Sequence, residues 1–151
     1  MHPELCKRLV QAQLKEALDT EGLFSEKVEM VESGYPLFYV RFVNVQGVQR
    51  LIRFDCTNYD FLPIAIEPVD PVSRLPLLPQ GWISRDGGAF PSHHMKGGGQ
   101  FLCITGTRDF YTHEGHKPEV TGERWDKRRA DFKIADLIAA LKKRFASGGW
   151  L

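Results

Sequence analysis

Cysteine is scarce in this sequence and shows no pairing pattern. Cys6, Cys56 and Cys103 form an odd, widely spaced set, which excludes a disulfide framework and makes a reducing, cytoplasmic setting the expectation. No apolar run approaches the roughly 20 residues that a membrane span needs, so no membrane partner is expected. Met1-His2-Pro3-Glu4 is followed by no apolar stretch, so no secretory signal is expected. An excess of one charge is also missing. The 20 Lys and Arg face 19 Asp and Glu, for a net charge of +1, which gives nucleic acid no electrostatic footprint to bind. The two short basic runs, Lys127-Arg128-Arg129 and Lys142-Lys143-Arg144, read as solvated helix faces or helix ends. There is no internal repeat and no linker.

What is present is an ordinary globular balance, with 42% hydrophobic and 26% charged residues among 151. That length predicts a single domain over residues 1–151. A chain of this size buries roughly 70% of its unfolded surface, enough for a core without staples.

Hydrophobic periodicity predicts a helix over residues 3–18, with Pro3 at its first position and Val10, Leu14, Ala17 and Leu18 on one face. Gly22 closes it. The period then becomes two. Residues 28–31 make a short strand. Phe38, Val40 and Phe42 alternate with Tyr39, Arg41 and Val43; a turn over residues 44–47 leads into Val48, Arg50, Ile52 and Phe54, alternating with Gln49, Leu51 and Arg53. Residues 63–67 make a fourth strand, with Pro63 at its start. Short turns between consecutive strands predict an antiparallel meander. Residues 68–129 are punctuated by proline and glycine, and a segment of that length in a small domain points to function; residues 100–104 are a strand candidate within it. A final helix begins near Asp131, its expected cap, and carries Ile134, Leu137, Ile138, Leu141 and Phe145 on one stripe until Gly148-Gly149 stops it. The predicted class is α+β, with a first helix, a four-stranded antiparallel meander, a long loop-rich segment and a last helix, the helices covering one sheet.

The chemistry concentrates in His93-His94-Met95-Lys96-Gly97-Gly98-Gly99-Gln100-Phe101-Leu102-Cys103-Ile104. A thiolate is the side-chain nucleophile best suited to acyl exchange, and three consecutive glycines allow backbone N–H groups to approach a reacting carbonyl. Read alone, Cys103 is more simply a small apolar residue buried in a strand. Cys6 and Cys56 read as packing residues. A zinc site built from His113, His116 and one thiolate is a further alternative, against which no Cys-x-x-Cys pair exists; no metal or cofactor is expected.

The order of elements and this segment resemble the ubiquitin-conjugating enzymes. That family carries a His-Pro-Asn motif whose His precedes the active cysteine by ten residues; His93 stands in that relation to Cys103, and Leu102 and Ile104 supply the apolar flanks. Asn58-Tyr59-Asp60-Phe61-Leu62-Pro63 resembles the family's Tyr-Pro-Phe-x-Pro-Pro segment, and Trp125 with the last helix resembles its Trp-containing segment and crossover helix. His94 replaces the motif proline and Met95 the motif asparagine; one long helix follows where most members carry three, as in the trimmed bacterial branch. Members of that branch are encoded beside ubiquitin-like proteins, activating enzymes and deconjugating peptidases, a neighbourhood that points to antiviral defence.

The resemblance implies that Cys103 receives a ubiquitin-like protein from an activating enzyme and passes it to an amine on a target protein. Met95 cannot donate a hydrogen bond, so His94 and His113 are the expected helpers beside Cys103. A catalytically inactive module that binds a ubiquitin-like protein or an activating enzyme is the alternative that Met95 favours. The first helix, exposing Lys7, Arg8, Gln11 and Lys15, is the expected docking face for the activating enzyme.

Overall fold

The computed structural model describes residues 2–77, 104–112 and 123–147. Among these, helix α1 spans Pro3–Asp19 and strands β1 to β4 span Val28–Glu32, Leu37–Val43, Gln49–Asp55 and Ala65–Val69. Three helices follow: α2 over Arg108–Thr112, α3 over Trp125–Arg128 and α4 over Ile134–Ser147. The fold is α+β, and the sheet runs in the order β1-β2-β3-β4 with every neighbouring pair antiparallel.

Helix α1 starts where the sequence allows it. Pro3 needs no hydrogen-bond acceptor in the first turn, and the Nδ1 of His2 accepts from the Glu4 N–H at 3.2 Å. Cys6, Val10, Leu14 and Ala17 are buried because they share a face at helical spacing. Leu18 departs from expectation: it is 50% exposed. The buried stripe centres on Val10 and Ala17, and Leu18 falls beyond its edge. Helix α1 ends at Asp19, where the Thr20 hydroxyl donates to Glu16 O at 2.8 Å, so Gly22 lies in the turn beyond the helix.

The sheet separates two faces by the alternation of its side chains. Phe38, Val40, Phe42, Ile52, Phe54 and Ile66 are buried on the inner face. The register sets Phe38 opposite Phe54 and Val40 opposite Ile52, and the Phe38 and Phe54 rings stack at 4.4 Å. Burying each such side chain contributes roughly 1.5–3 kcal/mol. Helix α4 lies against β2 and α1 packs along α4, with Phe145 set edge-on to Phe42 at 4.7 Å. The opposite face carries a smaller cluster of Tyr39, Leu51 and Val69, the ion pair of Arg53 with Glu67, and the Arg74 guanidinium 4.2 Å above the Tyr39 ring.

The turn between β2 and β3 is built by Asn44, whose Oδ1 accepts from Gln46 and Val48 N–H groups, each at 2.9 Å. Gly47 takes a φ of 80° there, a value that glycine adopts without penalty.

Strand β4 begins and ends two residues later than the sequence suggests. The Pro63 and Ile64 carbonyls accept from Arg108, and Ile64 bridges Thr107 in parallel, so this pair serves the returning chain. Pro68 falls inside the strand because β4 is an edge of the sheet, where a missing N–H is tolerated. The far end of the same edge is met by Pro76, which bridges Val69, and by Leu77, whose N–H donates to Pro68 O at 3.0 Å.

The last helix is not capped by Asp131. Its first turn is held by Asp136, whose carboxylate accepts from the Lys133 N–H at 3.0 Å, and by Gln13 of α1, whose Oε1 accepts from the Ile134 N–H at 3.0 Å. Ile134, Leu137, Ile138, Leu141 and Phe145 are all buried, as their spacing predicts. At the other end the Lys142 ammonium donates to Gly22 O at 2.5 Å, so one of the basic run's side chains ties α4 to the loop after α1. The helix runs to Ser147, and the expected stop at Gly148-Gly149 lies outside the described residues. Among the described residues, no helix is long and apolar enough to cross a membrane.

Candidate active site

The residue following Cys103 is the point of entry. Ile104 is 6% exposed and belongs to the main core, so the chain on the C-terminal side of Cys103 is anchored. Its carbonyl accepts from the Thr107 N–H at 3.2 Å and from the Thr107 hydroxyl at 2.7 Å. The same hydroxyl accepts from the Phe110 N–H at 3.4 Å, so the fully buried Thr107 both closes the turn and starts α2. This short helix lies in the stretch where the sequence shows no regular structure. The Thr three residues before Phe110 is the N-cap signal that marks it.

Gly106 in that turn has a φ of 100°. A β-carbon on it would lie 2.2 Å from Cζ of Phe132, so only glycine fits. Phe132 in turn packs edge-on to Trp125 at 5.4 Å, and Trp125 meets Tyr111 at 5.5 Å and Tyr59 at 6.3 Å. The Trp125 Nε1–H donates to Asp60 O at 2.8 Å. Trp125 therefore joins the 57–63 turn, α2 and the approach to α4 in one aromatic cluster. Burial, with the nearby Glu123 charge next, holds the Tyr111 hydroxyl above its ordinary pKa.

Arg108 closes the arrangement from the other side. Its N–H donates to Ile64 O at 2.7 Å, its Nε to Pro63 O at 3.3 Å and its Nη2 to Thr57 O at 3.3 Å. The turn that Arg108 holds at both ends contains Asn58, with a φ of 61°, and exposes Phe61 and Leu62 at 59% and 37%. Within it the Leu62 N–H donates to Asn58 O at 2.8 Å. Sequence reasoning identified this turn by its resemblance to a family motif and missed Arg108, because a guanidinium five residues past a cysteine carries no pattern of its own.

Beside Thr105 opens a cleft of about 460 Å³ lined also by Glu123, Arg124, Lys127, Arg128 and Asp131. Its mixed charges suit a polar chain segment better than an apolar ligand. The Arg124 side chain donates to both Asp126 oxygens, at 2.9 and 3.1 Å. These bonds hold the Asp126 carboxyl below the usual carboxylate range.

Cys6 and Cys56 are both buried and unpaired, in agreement with a packing role. Burial, followed by the charge of Asp55, pushes the Cys56 thiol far above its ordinary range, which removes it as a thiolate nucleophile at neutral pH. Cys103, His93, His94, Met95, His113, His116 and the strand candidate over residues 100–103 lie outside the described residues. Among the described residues, no group of three or more His, Cys, Asp and Glu is placed to hold a metal ion. Comparison with known proteins finds no family model and no curated protein that matches the chain.

Proposed function

We propose that this chain is a ubiquitin-conjugating-enzyme-like protein that carries a ubiquitin-like protein on Cys103 and transfers it to an amine. The observation that carries this reading is the anchoring of Ile104. The chain on one side of Cys103 is fixed by Thr107 and Arg108 to the start of β4, in a fold whose order of helix, four-stranded meander and final helix agrees with that family. The spacing of His93 and Cys103 supports it.

The reaction is thioester exchange. The Cys103 thiolate attacks the carbonyl carbon of the ubiquitin-like protein's thioester with the activating enzyme, a new C–S bond forms, and the activating enzyme's thiolate leaves. An amine nitrogen of the target then attacks the same carbon, a C–N bond forms, the Cys103 thiolate departs, and the amine proton passes to solvent or a neighbouring base. The partners are a ubiquitin-like protein, an activating enzyme and a target with an acceptor amine, in a cytoplasmic setting. A net charge of +1 gives nucleic acid no part in it.

The test is loading with a cognate activating enzyme, its ubiquitin-like protein and ATP. A reductant-sensitive adduct should form and be lost in Cys103→Ala. An adduct that survives Cys103→Ala and disappears in Cys56→Ala would sink the site assignment. Met95 in place of the motif asparagine favours a second reading, in which the chain binds these partners without carrying the acyl group; stable complex formation with no labile adduct would select it.

A further inference from the structure

We infer that the outer face of the sheet carries a binding site for a small carboxylic acid with an apolar body, seated on Leu51 and Val69 with its carboxylate toward Arg41 and Arg50. The inference is independent of the reading of Cys103. A cavity of about 390 Å³ opens on this face, within the usual range for a small-molecule pocket. Its floor is apolar, since Leu51 and Val69 stand opposite each other in the register of β3 with β4. Val31 of β1, with Pro71 and Leu77 of the returning chain, completes the apolar lining. The returning chain is fixed over that floor before any ligand arrives. Pro76 bridges Val69, and the Leu77 N–H donates to Pro68 O at 3.0 Å. The intervening turn is shaped by Asp70, whose Oδ1 accepts from the Val72 and Ser73 N–H groups at 2.9 and 2.7 Å. Arg74 pins the turn to the sheet, its guanidinium over the Tyr39 ring and its Nη1 3.4 Å from Glu32. A pocket built in advance costs a ligand little ordering.

Charge selects the ligand. Among the described residues that line the cavity, the charged ones are Arg41 and Arg50, and no carboxylate joins them. Arg41 pairs with Glu29 through Nη2, while its Nε is buried without a hydrogen-bond partner. A ligand carboxylate that draws this half-exposed guanidinium inward gives that donor an acceptor. The Arg50 guanidinium lies beside the Gln49 carbonyl, to which its Nη1 donates at 2.9 Å, and burial holds it below its ordinary pKa. A nearby anion offsets that lost hydration. Phosphate would use the arginines and leave the apolar lining bare, and an uncharged chain would do the reverse. An acid with an apolar body uses both.

The experiment titrates the full chain with octanoate, 1-octanol and inorganic phosphate and follows amide NMR shifts. Octanoate should move the Leu51 and Val69 amides to saturation and leave the Ile138 amide of the core in place. Arg41→Gln should weaken octanoate about tenfold, as expected for a lost hydrogen bond between charged groups. Val31 is 42% exposed on β1, where a polar side chain can reach water. Val31→Glu should weaken octanoate by a similar factor, and Val31→Lys should not. Octanol as tight as octanoate would leave an apolar groove with no anion site, and phosphate as tight would leave a site for charge alone. Shifts that do not saturate, or that spread to Ile138, would mean non-specific association. Parental affinity in Arg41→Gln, or equal losses in Val31→Glu and Val31→Lys, would remove charge from the account. Each of these overturns the inference.

Discussion

The Tyr59 hydroxyl donates to Gln13 Oε1 at 2.9 Å, and the same oxygen accepts from the Ile134 N–H at 3.0 Å. One amide oxygen of α1 thus joins the buried tyrosine of the 57–63 turn to the first turn of α4. Replacing Gln13 with leucine leaves a helix N–H short of an acceptor and leaves the Tyr59 hydroxyl only the Phe132 carbonyl, 3.4 Å away, at about 1–3 kcal/mol. A fall in Tm of a few degrees is expected, since roughly 1 kcal/mol moves a chain of this size by 2–4 °C. Gln13→Glu keeps an acceptor oxygen and should lose less. Equal losses in calorimetry would mean that packing, not hydrogen bonding, is what Gln13 supplies.

Gly106→Ala should be among the most damaging single substitutions in the described chain. The added carbon meets the Phe132 ring at 2.2 Å in a backbone conformation that favours glycine, so overpacking and backbone strain together cost about 2–5 kcal/mol. Denaturant unfolding of Gly106→Ala and of Gly106→Ala with Phe132→Leu checks the cause. The double variant should recover part of the loss, and a double variant no better than the single would locate the cost in the backbone alone.

Stability should decline in alkali through Tyr59. Burial, only partly offset by the Gln13 hydrogen bond, raises the folded-state pKa of Tyr59 above its ordinary value of 10.0. The folded protein then holds a proton that the unfolded chain releases, so the contribution is complete below pH 10 and is lost as pH rises above it. The slope approaches about 1.4 kcal/mol for each pH unit. Tyr59→Phe should be the less stable protein at pH 7, and its deficit should shrink between pH 10 and 11.5. A deficit that stays constant in urea titrations across that range would show that another group governs the alkaline limb.

With Met95 unable to donate, His94 and His113 are the expected side-chain helpers in the transfer step. Losing an oxyanion donor costs on the order of 100- to 1000-fold in rate. The measurement is single-turnover aminolysis of the loaded thioester in His94→Ala and in His113→Ala. If both discharge at the parental rate, backbone amides near Gly98 and Gly99, or Asp109, become the candidates.

Lys7 and Arg8 are exposed on α1 and should steer an acidic activating enzyme. Lys7→Glu with Arg8→Glu is expected to slow loading of Cys103 while leaving the circular dichroism spectrum unchanged. Added salt should slow the parent more than the double variant, because exposed charges are screened beyond about 10 Å at 0.1 M salt. Equal loading rates at low salt would reduce α1 to scaffold.

The meander was readable because two independent patterns agree in it. The alternation at Phe38, Val40 and Phe42 matches that at Ile52 and Phe54, and Asn44 and Gly47 mark the turn that sets their register. The stripe of α4 was equally plain, since five apolar residues fall on one helical face. Leu18 was misassigned because apolarity at the margin of a stripe does not decide burial; the position of the neighbouring helix does. The cap of α4 was misassigned for a related reason. Asp131 is near in sequence, but the acceptor oxygens come from Asp136 and from Gln13, far away along the chain. The side-chain hydrogen bonds of Arg108 and Trp125 are long-range, to carbonyls that any residue could supply, so no side-chain pattern records them. Cys103 rests on its motif spacing from His93, and His94 and His113 on being the nearest polar side chains in sequence; all three lie outside the described residues.

Strand β4 meets returning chain at both of its ends, at Ile64 through Thr107 and at Val69 and Pro68 through Pro76 and Leu77. Among the described strands, that leaves β1 as the open edge. A sheet with one open edge can accept a single added strand and then has no second edge from which to continue. Association through β1 of two copies would be symmetric and would end at a pair, because the next copy would find both outer edges already occupied. Among the described strands, edge pairing therefore ends at a closed pair of copies and does not propagate.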